Sequence, residues 1–479
     1  MKIQKVLLIC PNFITTTSKI FQFAHKFFPP SNYVYLGIAY IASMLEKEGF
    51  EVKIIDATQE NLNMKQLLKK IKLIKPDVIG ITSNVTNARA AILTGILCKN
   101  KYIRAKIVMG GPWATINWKY IIKNNYADFV VIGEGERTII ELISKINNPD
   151  VDYKTIRGIA YKDKENMLIK TQNRAHIEDI DNLPYPAWHL YTNPMDYNFP
   201  FKGKKAYPII TSRGCPYGCY FCTKYVHGYK MRYRSPVSII SEIKYLKEKY
   251  NVDEIFIVDD NFTMDISRAN KILDLMIREK LKLKITFSNG IRADTLSPKL
   301  LIKMKKAGVK EFAIGIESGN QHIVDKIGKK LSLQKIKEIA PFIKKLDFIF
   351  KGFFIIGHPY DTPNTMQDTI EFAKEIKLDI AQFSKATPWP GTKLYNLIHE
   401  KGEFRKNMDT IDSFNLYASQ FQIWHMNPGL MNKYFILAHL SFYFRWKWFR
   451  SFFSKIKTYK QLFFYLSNII LMSMRMVFD

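Results

Sequence analysis

From Lys5 to Ile146, short apolar runs rich in valine and isoleucine alternate with stretches whose apolar positions recur every third or fourth residue. The runs have the pattern of strands buried on both faces, and the longer period marks amphipathic helices. The pattern predicts strands at Val6–Cys10, Val52–Ala57, Val78–Ser83, Lys106–Gly111 and Phe129–Gly133, with helices near 36–48, 64–74, 87–100, 117–124 and 137–146. Repeated strand and helix units of this kind build an α/β, doubly wound parallel sheet.

The rhythm breaks between about 148 and 205. Asn147-Asn148-Pro149-Asp150 opens this stretch, a small hairpin is expected around Gly158 to Lys170, and prolines punctuate Leu183-Pro184-Tyr185-Pro186-Ala187-Trp188. Alternation resumes at Pro208, with strands near 208–212, 254–260, 285–290, 311–317, 351–357 and 380–386. Six strand and helix units predict a partial (β/α)6 barrel, whose chemistry sits on the loops at the carboxyl ends of its strands. The expected organisation is a doubly wound domain over 1–147, a structured linker over 148–205, the barrel over 206–400 and a helical region over 401–479.

That last region is distinct in composition. From Leu430 to Asp479 there are fifteen aromatics and eight lysines or arginines against one acid. Phe442-Tyr443-Phe444-Arg445-Trp446-Lys447-Trp448-Phe449-Arg450 interleaves the two kinds as an interfacial helix does. A helical cap buried on the barrel is the equally weighted alternative. The longest uncharged run there, Gln461 to Met474, is too short to span a bilayer, which takes about twenty residues.

Over 479 residues, 47% hydrophobic and 24% charged content describes a globular chain and not a disordered one. The formal charge of +29 favours acidic partners, yet lysine is spread along the whole chain, so it gives nucleic acid little support as a partner. Five cysteines, three of them between 215 and 222, do not make a disulfide framework and point to a metal site in a reducing compartment. With no apolar signal core at the N-terminus, a cytoplasmic location is expected, with peripheral contact to the inner face of the membrane if the aromatic tail docks there.

Gly214-Cys215-Pro216-Tyr217-Gly218-Cys219-Tyr220-Phe221-Cys222 follows the first barrel strand and offers three thiols on one tight loop. Three thiolates suit an iron–sulfur cluster and leave one iron of a four-iron cluster open to a ligand. The alternative is a zinc site completed by a fourth ligand such as His227. Cys10 and Cys98 stand alone on a predicted strand and helix and read as small buried hydrophobes.

The cysteine loop resembles that of the radical S-adenosylmethionine (SAM) superfamily, including the aromatic Phe221 before the third cysteine. Similar motifs end the later strands: Val258-Asp259-Asp260-Asn261-Phe262, Asn289-Gly290-Ile291-Arg292-Ala293-Asp294, Gly315-Ile316-Glu317-Ser318-Gly319, Gly357-His358-Pro359 and Pro388-Trp389-Pro390-Gly391-Thr392. The resemblance implies a [4Fe-4S] cluster on Cys215, Cys219 and Cys222. It implies that Asp259 and Asp260 receive the SAM amino group, that Glu317 and Ser318 contact the ribose, and that Phe221, Asn289, Arg292 and Gly357 belong to the same cofactor site. The implied chemistry is reductive cleavage of SAM to methionine and a 5′-deoxyadenosyl radical, then hydrogen abstraction from an unactivated carbon.

In the first domain, the strand ends carry Asp56, Thr82-Ser83-Asn84-Val85-Thr86, Gly110-Gly111-Pro112 and Gly133-Glu134-Gly135-Glu136. Ligands of doubly wound domains bind at such ends. Placed before this barrel and joined by Asp181-Asn182-Leu183-Pro184-Tyr185-Pro186-Ala187-Trp188, they resemble the cobalamin-binding domain of B12-dependent radical SAM enzymes, the class B methylases and the anaerobic magnesium-protoporphyrin ester cyclase group. Cofactor contacts are implied for Asp56, Ser83, Thr86, Gly110, Gly111, Gly133, Glu134 and Gly135. Two departures stand out: Trp113 follows the Gly-Gly-Pro turn where the family often has histidine, and no histidine follows Asp56 to ligate cobalt.

The resemblance implies methylation of an unactivated carbon of a small-molecule or lipid-like substrate, fed with electrons by a donor such as flavodoxin or ferredoxin. Cyclisation or rearrangement without methyl transfer is the alternative. A tRNA methylthiotransferase needs three further cysteines in the first domain, where only Cys10 and Cys98 occur, and a zinc-stabilised binding module needs a tetrahedral ion.

Overall fold

The computed structural model describes residues 5–12, 34–101, 104–146, 150–192, 205–405, 420–446, 448, 459 and 462. Two compact units emerge: Met1–Phe199 with Lys224–Gly228, and Pro200–Thr223 with Tyr229–Met408 and the C-terminal helix.

In the first unit, strands β1 (Lys5–Cys10), β2 (Glu51–Asp56), β3 (Val78–Thr82), β4 (Lys106–Gly110) and β5 (Phe129–Val131) run parallel in the order β2-β1-β3-β4-β5. β1 (Lys-Val-Leu-Leu-Ile-Cys) is buried from Val6 to Cys10, as a strand covered on both faces must be. The order reverses between β1 and β3, which opens the crevice where doubly wound sheets take a ligand. One apolar layer, including Leu7, Ile9, Ile79, Ile81, Ile107 and Met109, packs under Trp113 and helix Ala88–Lys101.

The hairpin expected within the linker is β6 (Ile159–Lys162) and β7 (Leu168–Lys170), and it extends the first sheet antiparallel to β5. Its tip is set by Asp163, whose carboxylate accepts from the Glu165 and Met167 amides, with Asn166 at φ 61°.

The second unit holds six parallel strands in chain order: β8 (Ala206–Ile209), β11 (Glu254–Ile257), β12 (Lys284–Ile291), β13 (Val309–Glu317), β14 (Ile349–Ile356) and β15 (Ile380–Lys385). A short ribbon, β9 (Ser212–Arg213) and β10 (Arg232–Tyr233), flanks the cysteine loop. Three barrel helices begin alike, with a Ser or Thr cap and proline next: Ser235-Pro236, Ser297-Pro298 and Thr362-Pro363. The cap oxygen satisfies a free amide, and proline fits the first turn because no donor is needed there. The first two strands of this sheet end three residues earlier than their apolar runs suggest, which leaves Thr211 and Val258–Asp260 in the loops. Register shifts in β12 and β13, the latter between Gly315 and Glu317, re-aim the side chains at the strand ends.

Helix Pro428–Tyr443 settles the part of the tail that is described. It buries Met431, Phe435, Ala438 and Phe442 against helix Pro363–Glu375 and edge strand β15. Tyr443 Oη donates to Ala381 O at 2.9 Å and Trp448 Nε1 to Asp379 O at 2.7 Å. This segment caps the barrel. Phe444 and Trp446, just beyond it, are 72% and 81% exposed, while Lys447 and Arg450 lie outside the described residues.

Candidate functional site

The loop after β8 carries Cys215, Cys219 and Cys222 as thiols outside any disulfide, the first buried and the others partly exposed. A turn closes it, Cys222 N donating to Cys219 O at 3.1 Å. A Cβ on Gly218 would meet nothing within 4 Å, so this loop leaves open room beside its second ligand. Among the described residues no three His, Cys, Asp or Glu side chains surround one common ion. His227, the fourth ligand that the zinc alternative offers, has its Nδ1 3.0 Å from Glu134 Oε1.

Asp259 and Asp260 split. Asp259 is buried and its carboxylate accepts from the Thr211 amide at 2.6 Å, the Thr211 hydroxyl and the Ser212 hydroxyl at 2.6 Å. Burial pushes its pKa up against the pull of these donors. Arg268 donates to the Thr211 and Arg234 carbonyls from the other side. Asp259 therefore holds the stem of the cysteine loop, and Asp260 beside it is exposed.

Arg292 braces the same loop. Its guanidinium lies 3.7 Å from the centre of the Tyr217 ring, pairs with Asp294 at 2.9 Å, and donates to the carbonyls of Lys329 (3.0 Å) and Lys330 (2.7 Å). Asn289 Nδ2 donates to Val258 O at 2.7 Å. Glu317 adopts φ 72° and pairs with Lys329 Nζ at 2.6 Å. Burial alone would lower the Lys329 pKa, but Glu317 and the Cys219 side chain hold it above the ordinary value. A Cβ on Gly315 would lie 2.7 Å from both Glu317 Oε1 and Lys329 Nζ, so a larger residue here would displace the ends of this pair. Ser318 is fully buried, its hydroxyl 3.1 Å from Thr369 Oγ1 and accepting from the Asn320 amide, so it ties strand β13 to a helix.

Phe221 packs edge-on to Tyr220. Gly357, at φ 84°, sits under Met431 of the C-terminal helix, whose Cγ is 2.5 Å from where a Cβ would be. Lys329, Tyr220, His358 and Asp361 are the members that sequence reasoning left without roles. Only the position of His358 in Gly357-His358-Pro359 hinted at one.

In the first unit, Asp56 caps its own turn, accepting from the Thr58 and Gln59 amides at 3.1 Å. Ser83 N donates to Gly110 O and Ser83 O accepts from Trp113 N. Gly111 is at φ 98°, and a Cβ would lie 2.6 Å from Ser83 O. The buried Ser83 hydroxyl has no hydrogen-bond partner among the described residues. Thr86 closes a turn on Asn84. Gly133, at φ 75°, donates its amide to Thr115 Oγ1, and a Cβ there would meet only Tyr225 O, at 3.9 Å. Gly135 presses on Ile41. Glu134 is a brace, accepting from the Ile177 amide at 2.9 Å as well as facing His227. Trp113 is buried in the apolar layer, edge-on to Tyr120, as a core residue. Unforeseen from the sequence are Tyr35, whose hydroxyl receives Asn87 Nδ2 at 3.0 Å, and Tyr191, which donates to Tyr35 O at 3.1 Å. Both pack near Cys10, where burial, then Asp56, pushes the thiol pKa well up.

The radical SAM superfamily matches residues 209–373, and the B12-binding domain matches residues 30–143. The uncharacterized methyltransferase PH0819 of Pyrococcus horikoshii is 34% identical over 93% of this chain and 94% of its own. The chain is a B12-binding radical SAM enzyme. The anaerobic magnesium-protoporphyrin IX monomethyl ester cyclase of Rubrivivax gelatinosus is 25% identical over 83% of this radical SAM enzyme and 71% of its own length. The radical SAM methyltransferase TsrM of Kitasatospora setae, solved with cobalamin and a [4Fe-4S] cluster bound, superposes with a TM-score of 0.67 at 15% identity, covering 85% of this chain and 81% of its own. That likeness is one of fold.

The donor sets fit the groups this family uses. Three thiols outside any disulfide and the open space beside Gly218 suit a cluster. The unsatisfied Ser83 hydroxyl and the bare Gly110 and Gly111 at a strand-order reversal suit a large flat ligand.

Proposed function

We propose that this enzyme holds a [4Fe-4S] cluster on Cys215, Cys219 and Cys222, SAM at the carboxyl ends of the barrel strands and cobalamin at the β1/β3 switch point, and methylates an unactivated carbon. The substrate is proposed to be a small or lipid-like molecule and the electron donor a flavodoxin or ferredoxin. The observation that carries this reading is the loop of three thiols outside any disulfide in a chain whose relative over nearly its full length is named a methyltransferase. When bound, the three cofactors supply reductive radical formation and a transferable methyl group.

The chain's own residues bind, orient and brace. Asp260 offers a carboxylate to the SAM amino group, and the Glu317–Lys329 pair presents a fixed charge of each sign next to the cysteine loop. Arg292 stacks on Tyr217 and fixes the loop between the first two thiols. Ser83, Gly110, Gly111 and Gly133 form the floor for cobalamin. The working assignment of regions is 1–147 for cobalamin, 148–205 for the connection, 206–400 for the radical chemistry and 401–479 for the C-terminal cover.

Anaerobic reconstitution should yield about four irons per chain, a reduced EPR signal that shifts on adding SAM, and tight retention of cobalamin. Stoichiometric zinc in place of iron would overturn the reading. A second reading, cyclisation, is favoured by the likeness to the protoporphyrin ester cyclase. Deuteromethyl-labelled SAM separates the two: label in the product, followed by mass spectrometry of metabolites that change in a deletion strain, marks methyl transfer, and an unlabelled, oxidised product marks cyclisation.

A further inference from the structure

Tyr220 stands between the second and third cysteines, and three residues of the barrel hold it. Its amide donates to Ile327 O at 3.1 Å, its carbonyl accepts from the Leu394 amide at 3.0 Å, its hydroxyl lies 2.8 Å from His358 Nδ1, and its ring packs on that of His358 at 5.6 Å. His358 is itself held. Its amide and that of Gly357 donate to Asp361 Oδ2 at 2.9 and 3.1 Å, the Thr365 hydroxyl donates to Asp361 Oδ1 at 2.8 Å, and His425 lies against the Asp361 carbonyl. Pro359 follows and has no amide to compete for that carboxylate. His358, Asp361 and Tyr220 are all buried.

We infer that His358 is a positioning residue for the iron–sulfur cluster, acting through the Tyr220 hydroxyl, with Asp361 fixing the histidine from behind. The inference rests on the proposed cluster assignment. Its physical basis is that Cys219 and Cys222 share a closed turn with Tyr220 between them, so a shift of the Tyr220 ring carries both sulfurs. A buried side-chain bond at that place limits the loop to one arrangement of its ligands, and the number and direction of contacts around a cluster set its potential and spectrum. The Gly357-His358-Pro359 motif thereby gains a task beyond turn geometry: it runs from the end of the fifth strand to the cluster loop of the first.

The test compares wild type with Tyr220→Phe, His358→Phe, the double variant and His358→Asn, whose amide oxygen stands where Nδ1 does. Each is reconstituted anaerobically, and the reduced EPR spectrum, midpoint potential and rate of iron loss to a chelator are recorded with the melting temperature of the apoprotein. Tyr220→Phe and His358→Phe should lose iron about three- to tenfold faster, the scale of one buried hydrogen bond, with shifted g-values. The double variant should match the singles because both cut one bond, and His358→Asn should restore the wild-type signal. Wild-type spectrum, potential and iron retention in Tyr220→Phe and His358→Phe would overturn the inference, whatever their melting temperatures. Should His358→Phe fail to fold, Tyr220→Phe decides alone, since it deletes a single oxygen. A wild type that takes up no iron would instead overturn the cluster assignment and this inference with it.

Discussion

Asp259 separates bracing the protein from gripping a ligand. Its buried carboxylate serves one amide and two hydroxyls on the stem of the cysteine loop. In Asp259→Ala, the Thr211 amide cannot turn away and costs about 1–3 kcal/mol as an unsatisfied buried donor. The two hydroxyls can rotate toward other acceptors and cost ~1 kcal/mol each. Removing a carboxylate whose charge is already disfavoured by burial returns part of this. A net loss of about 3 kcal/mol is expected from these terms. Asp259→Asn keeps one carbonyl acceptor for the amide and should lose ~1 kcal/mol. At about 2–4 °C per kcal/mol for a unit of this size, the alanine variant should melt about 6–12 °C lower and the asparagine variant about 2–4 °C lower. Circular dichroism of the apoprotein reads these shifts, and iron content and the SAM-induced EPR shift are measured on the same preparations. Asp259→Asn should keep that shift. An asparagine variant with wild-type melting and iron content but no response to SAM would refute the bracing role and put the carboxylate on the SAM amino group.

Burial holds the His358 pKa down at about 3, so stability from this group is complete above its ordinary value near 6.5 and drains away as pH falls toward 3. Asp361, raised by burial to about 6, opposes this by gaining stability as pH falls from 6 toward 4. Asp361→Asn should therefore lose about 1–2 kcal/mol more than wild type between pH 7 and 5 in urea unfolding, and an unchanged pH slope would refute the pairing. Because Asp56 is followed by Ala57-Thr58-Gln59-Glu60-Asn61 with no histidine, cob(II)alamin bound with its own base displaced should show no axial nitrogen splitting in its EPR spectrum; a clear nitrogen signal would contradict this. Exposed Phe444 and Trp446 beside Arg445 predict salt-sensitive binding to anionic vesicles, with ~1 kcal/mol from each basic residue near the surface. Co-sedimentation should fall when Arg445, Lys447 and Arg450 become glutamate, and intact protein that ignores such vesicles at low salt would end the membrane reading.

Periodicity alone made both sheets legible, because a strand buried on both faces must be apolar throughout and an amphipathic helix must repeat near 3.6. The cysteine loop was equally legible, since three thiols at this spacing can only serve a metal centre or a chance cluster. The hairpin at 159–170 was visible as a hairpin but not as the edge of the first sheet, because pairing with β5 is a long-range choice that no local pattern encodes. Roles within motifs were the least legible. Asp259 and Asp260 are identical and adjacent, yet where β11 ends turns one inward onto Thr211 and leaves the other exposed. Nothing local in the sequence shows that Thr369 packs against the Ser318 hydroxyl. The Tyr220–His358 bond joins residues 138 positions apart, and the Glu317–Lys329 pair needs the register shift in β13 and the bare Gly315 beneath it. Residue type and spacing thus determined which chemistry this chain can perform. Tertiary structure decided which polar groups are consumed in holding the loop and which remain free for a ligand, because burial and long-range hydrogen bonds exist only once the strands have met.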